Sequence, residues 1–212
     1  MADALTSDDR ERIQRVLDLW FPEREYGAPQ IDGRMDMWFG NSDELDARLH
    51  IEFSEEIQNA SDDRLSHWAA DAKGRLALII LIDQFRRNVY RGSAKAFSHD
   101  KMALRLSVEG IVQKLDQQLS SIERVFFYMP LQHAESLRIQ QKSVQVFQRL
   151  AEAVTPTLKE TFETFAQFAE LHHDIIEQYR RFPHRNKVLG RKNTPEEAAY
   201  LDDGAPDFGQ AS

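Results

Sequence analysis

The chain contains no cysteine. That excludes a disulfide framework, thiol catalysis and any zinc site built on sulfur, and it fits a reducing compartment. Phosphate-cradling glycine loops are missing as well. Neither GxGxxG nor GxxxxGK followed by serine or threonine occurs, and there is no GxSxG nucleophile elbow, so the common nucleotide folds and that hydrolase pattern drop out. Apolar runs are short: the one over residues 76–82 has seven members, against the ~20 that a bilayer span needs. Residues 1–9 are acidic and carry no apolar stretch of the kind a signal peptide uses. The expectation is a cytoplasmic protein with no membrane partner.

Positive charge is also scarce. A formal net charge of −8 argues against nucleic acid as a partner, because phosphate contacts need a basic face. The balance reverses locally. Between Glu177 and Glu196 there is no acidic residue, and Arg180, Arg181, Arg185, Lys187, Arg191 and Lys192 fall there together with His184. Contact of these basic loops with RNA is the weakest of three functional readings, since the island is short.

Helical periodicity is what the sequence does offer. Ile13, Val16, Leu17 and Trp20 share one face after a cap at Thr6 or Ser7. A loop of roughly two dozen residues comes after it, long for a compact domain, and its end at Met37-Trp38-Phe39-Gly40 is apolar enough to dock on a core. Leu45, Leu49, Phe53 and Ile57 mark a second helix, and Leu65, Trp68 and Ala69 a short third. Residues 76–82 are then apolar without a break. We read them as a buried helix because no second strand is on offer to receive their backbone hydrogen bonds.

Ser98 is placed as a cap with Phe97 and Met102 as a hydrophobic staple. Ser120 and Glu123 form a capping box for an aromatic helix that Pro130 halts. After a helix through Leu137, Val144, Phe147 and Leu150, the longest one starts at Thr155-Pro156. It carries Phe162, Phe165, Phe168, Ala169, His172, Ile176 and Tyr179 in one stripe, up to a break at Pro183. Thr194 to Glu197 is a last capping box. The expected architecture is all-α, a bundle or solenoid of about 7–9 helices, with residues 1–201 as one domain and residues 202–212 as a flexible tail.

Three stretches crowd polar groups against apolar ones. The first is Asp83-Gln84-Phe85-Arg86-Arg87-Asn88, the second runs from Tyr128 through Pro130-Leu131-Gln132-His133 to Glu135, and the third is Arg181-Phe182-Pro183-His184-Arg185-Asn186 with Gly190-Arg191. Together with Thr194-Pro195-Glu196-Glu197, these blocks resemble, in order from about Trp38 to Leu201, the signature of a bacterial family catalogued as domain of unknown function 924. The resemblance implies a tetratricopeptide-like helical fold and implies no activity. Two positions depart from the family pattern: Arg86 stands where a proline is usual, and Arg180 where a glycine is usual.

Two stronger functional readings rest on these blocks. In the first, the protein is a binding module whose cationic cleft takes an anionic small molecule or an acidic peptide terminus. Arg87, Arg181 and Arg185 would supply forked donors, Asn88 and Asn186 directional hydrogen bonds, and Trp38 or Tyr128 an apolar wall. In the second, it is an enzyme acting on a phosphorylated or carboxylated metabolite. His133 or His184 would move the proton, and Glu135 or Asp83 would orient the imidazole. No cofactor is implied. His173 and Glu177 are four apart on one helix face, yet the spacing offers no third ligand, and no metal is expected. His172, on the apolar stripe, is expected to be a hydrogen-bonded core residue.

Overall fold

The computed structural model describes residues 5–206, 208 and 209. It is all-α, with no strand among the described residues. α1 (Ser7–Trp20) opens on a reciprocal cap in which Thr6 Oγ1 accepts from Asp9 N and Asp9 Oδ2 accepts from Thr6 N. The other oxygen of Asp9 accepts from Trp68 Nε1 at 2.7 Å and lies 3.0 Å from His67 Nε2. One short side chain thus caps a helix and ties it to the 3₁₀ turn at Ser66–Ala70.

The stretch after Trp20 is not one loop. It contains two single-turn helices, α2 (Ala28–Asp32) and α3 (Met35–Phe39), too short for periodicity to reveal. α3 docks as its composition suggests. Trp38 is buried, its Nε1 donates to Trp20 O at 3.0 Å, and its ring meets Phe21 and Phe126 edge-on. α4 (Asp43–Ser61) lays Leu49, Phe53 and Ile57 on the core.

The central rod begins as α5 (Ala72–Ile79), capped by Asp71, widens into a π-helical stretch at Ile80–Phe85, and resumes as α6 (Arg86–Val89). Every residue from Leu76 to Phe85 is buried, as an unbroken apolar run leading into a paired carboxylate requires. A π turn holds one residue more than an α turn, and one extra residue rotates the downstream side chains by about 100°. Gln84, Arg87, Asn88 and Arg91, spaced i, i+3, i+4, i+7, all face one cavity.

α7 (Asp100–Val112) and α8 (Ser121–Gln132) pack against this rod. The cap of α7 is His99, which makes no side-chain cap bond; Ser98 Oγ instead accepts from Arg86 Nη2 at 2.8 Å. The Ser120–Glu123 capping box is present. Pro130, however, does not halt α8, which continues to Gln132. A proline in the last turn forfeits one backbone bond and leaves the remaining ones intact.

α9 (Leu137–Ala153) and α10 (Lys159–Tyr179) pair along their lengths, joined by a short connection with a 3₁₀ turn at Pro156–Leu158. α10 ends before Pro183: Arg180 takes a left-handed conformation (φ 62°) and its N–H donates to Ile176 O. α11 (Pro195–Asp202) carries the expected box, Thr194 with Glu197. Beyond it, Phe208 packs with Ile175, Ile176 and Phe182 in a small second apolar cluster.

Candidate functional site

The broken rod, α3, the C-terminal end of α8, the middle of α10 and residues 206, 208 and 209 enclose a cavity of about 360 Å³. That is within the range of about 300–1,000 Å³ usual for small-molecule sites. Its walls are Met35, Trp38, Phe39, Met129, Phe165, Phe168, Pro206 and Phe208. Gln84, Arg87, Asn88, Arg91, Gln132, His133 and His172 supply its polar face.

Asp83 organises that face from behind. The side chain is fully buried, and its Oδ1 accepts from His133 Nδ1 at 2.8 Å and from Arg87 Nη2 at 3.2 Å. Its Oδ2 accepts from Gln84 Nε2 at 2.6 Å. Burial pushes the Asp83 carboxyl up, but the His133 and Arg87 contacts outweigh it and hold the group below the usual carboxylate range. For His133 the balance is the reverse. Burial and the Arg87 charge together lower it below the ordinary histidine value, against the pull of Asp83. The resting state at neutral pH is therefore ionised Asp83 beside neutral His133. A carboxylate at Nδ1 fixes the proton there, which leaves the lone pair on Nε2.

Arg87 continues the network. Its Nη2 also donates to Asp100 Oδ1 at 2.9 Å, and Asp100 Oδ2 accepts from Arg185 Nη1 at 3.0 Å. The same Arg185 nitrogen reaches His133 O at 3.2 Å. Phe97 lies under both guanidiniums, 5.2 Å from Arg87 and 4.7 Å from Arg185. Burial lowers Arg185 to about 10, so it stays charged.

The three polar blocks do meet, but only two reach the cavity. Trp38, Arg87, Asn88 and His133 line it, with Asp83 directly behind. Arg185 is a brace in the second layer. Arg181 is spent on Glu197, at 2.6 and 2.7 Å, and on Lys192 O. Asn186 is buried between Asn193, Glu197 and Arg191. Glu135 accepts from Phe182 N and takes a two-pronged contact from Arg191, at 2.7 and 2.9 Å. It orients no imidazole. Tyr128 faces away, its hydroxyl donating to Asp116 Oδ2 at 2.5 Å. His184 lies against Phe182 and Phe208 rather than on the cavity wall, and burial depresses it far below the ordinary value. The expected three-arginine clamp is thus not formed. The acidic partners of these long side chains lie up to 85 residues away in the chain.

His172 is bonded as expected, Nδ1 to Phe168 O at 2.7 Å, and burial lowers it to about 3. It also borders the cavity, 6.3 Å from the His133 ring and 4.2 Å from Phe208. The sequence reading missed it there, along with Gln132, Arg91 and the tail residues. Gln132 and Arg91 sat inside or beside the flagged blocks; nothing local marked Phe208. On the outer face of α10, Asp174 joins His173 and Glu177, their ligand atoms within 4.8 Å of one another. This open cluster lies away from the cavity. A wider hollow of about 680 Å³ lies over Lys73 and Glu123, which pair with each other.

Among known proteins, residues 16–205 match the family described as bacterial protein of unknown function (DUF924). A solved structure of a protein of unknown function from Agrobacterium tumefaciens superposes with a TM-score of 0.78 at 34% sequence identity. The match covers 93% of this chain and all of that one. No curated protein matches.

Proposed function

Because this chain belongs to the DUF924 family of bacterial proteins, whose description assigns no chemistry, we propose a function from the cavity itself: acid–base catalysis on a small molecule, with His133 as the base. The observation that carries it is the 2.8 Å contact between the fully buried Asp83 carboxylate and His133 Nδ1, with His133 on the cavity wall. A buried carboxylate behind an imidazole sets the tautomer and stabilises the imidazolium that forms when Nε2 takes a proton.

No serine, threonine, cysteine, lysine, tyrosine or carboxylate is among the described lining residues. A covalent intermediate on such a group is therefore not part of this reading. His133 would take the proton from the substrate itself or from a water that attacks it. The test is turnover of a panel of esters, amides and ketones, monitored by hydrolysis and by solvent deuterium uptake. His133→Gln should lower any turnover by ~10²–10⁴-fold, and a variant as active as the parent would remove the proposal.

The binding-module reading is supported by a different observation, the two guanidiniums of Arg87 and Arg91 on the cavity wall. It predicts that phosphate or citrate raises the melting temperature, less so in high salt. A tetratricopeptide-like arrangement, supported by the α9–α10 helix pair, and a cytoplasmic location, supported by the lack of cysteine, belong to the same set of proposals.

A further inference from the structure

We infer that the molecule this site accepts is uncharged, with a flat apolar body and a hydrogen-bond-accepting head such as a carbonyl. The inference rests on the cavity being the binding site, as proposed above, and adds the class of guest.

The body is set by the walls. Trp38, Phe39, Phe165, Phe168 and Phe208 present ring faces and edges to the space, with the adaptable Met129 beside them. The head is set by the charge balance. Both guanidiniums on the wall are already matched: Arg87 by Asp83 and Asp100, and Arg91 by Asp46 at 2.8 and 3.1 Å. Arg185 behind them takes the remaining oxygen of Asp100. Three carboxylates thus offset three guanidiniums, and His133 adds no charge in its resting state. A carboxylate or phosphate entering here would give up its hydration for an array with no net positive charge, beside ionised Asp83.

An uncharged acceptor meets no such penalty and finds donors waiting. Arg87 Nη2 carries both acid contacts and Nε is sealed in without a partner. Nη1 makes no hydrogen bond among the described residues and is not sealed off. The side-chain amide of Gln132 is likewise without a hydrogen-bond partner among the described residues, and Asn88 uses only its carbonyl oxygen, accepting from Arg91 Nη2 at 3.2 Å. Those three side chains line the same cavity as His133. A carbonyl oxygen held there would be polarised while Nε2 faces its substituent or an attacking water.

The experiment is calorimetric titration of the full chain at pH 7.5 with two probes that share one ring system, 2-naphthamide and 2-naphthoate. The amide should bind at least tenfold more tightly than the anion. Phe168, half-exposed and on the wall, can be cut to alanine without opening the core. Phe168→Ala should weaken the amide at least fivefold. Naphthoate binding as tightly as the amide or more so overturns this inference and leaves the proposed function standing. An unchanged affinity in Phe168→Ala also overturns it, because the amide would then be bound elsewhere. If neither probe binds, the cavity reading falls and this inference with it.

Discussion

Asp83 touches His133, Arg87 and Gln84 at once, so its loss has two separable consequences. Asp83→Asn keeps the shape but removes the charge that Arg87 faces. Breaking a buried ion pair on one side costs about 3 kcal/mol or more. For a chain of this size that is a fall in melting temperature of roughly 6–12 °C, readable by calorimetry. Any His133-dependent turnover should fall further than stability does, because an amide can present its NH₂ to the ring and impose the wrong tautomer.

The histidines make a second prediction at this scale. His133, His172 and His184 all lie below the ordinary histidine value in the folded chain, burial being the first cause in each case. The unfolded chain then binds more protons than the folded one once the pH drops below about 6.5, and stability falls with it. Asp83 and Glu197 are held low and stay ionised in the folded chain, so their contribution is lost only further down. The melting temperature should therefore decline between about pH 6.5 and 4.5. His172→Gln should flatten that slope, and an unchanged slope would show that His172 is already protonated in the fold.

At the scale of the helix, Arg180 ends α10 in the left-handed region. A β-carbon there costs about 1 kcal/mol relative to glycine. Arg180→Gly should raise the melting temperature by roughly 2–4 °C; a decrease would mean that the arginine side chain stabilises the end in some other way. Sequence patterns read such ends unevenly. The Ser120–Glu123 and Thr194–Glu197 boxes were legible because a capping box is a local object, complete within four residues. Pro130 misled for the same reason in reverse. Proline excludes a backbone bond, but it does not say whether the helix stops before it, as α10 does, or carries it in a last turn, as α8 does. The π widening at Ile80–Phe85 has no local signature at all. It left the buried rod readable, and the face shared by Gln84, Arg87, Asn88 and Arg91 keeps the ordinary i, i+3, i+4, i+7 spacing.

At the scale of the whole molecule, the cavity is closed by residues far apart in the chain. Gly209 O accepts from Arg91 Nη1, and Phe208 lies on His172. A chain shortened to residue 205 should admit a neutral dye such as Nile red about tenfold faster, as expected when a covering segment limits entry. Stopped-flow fluorescence measures this, and equal rates would show that the tail does not control access. This closure also marks the limit of sequence reading. The two cavity-lining blocks were found because they come directly after apolar runs. The partners of Arg181, Arg185, Asn186 and Glu135 were not legible, because charge is visible in a sequence and neutralisation is not. Those partners, Glu197, Asp100, Asn193 and Arg191, are fixed only when the helices pack.

Since Phe208 and Gly209 form part of the cavity wall, the choice of purification handle is not neutral for this protein. An oligohistidine or fusion partner attached within a few residues of Gly209 would load that wall and bring imidazoles to the mouth. Screens for guests are better run on material tagged ahead of α1, or with the handle cleaved off.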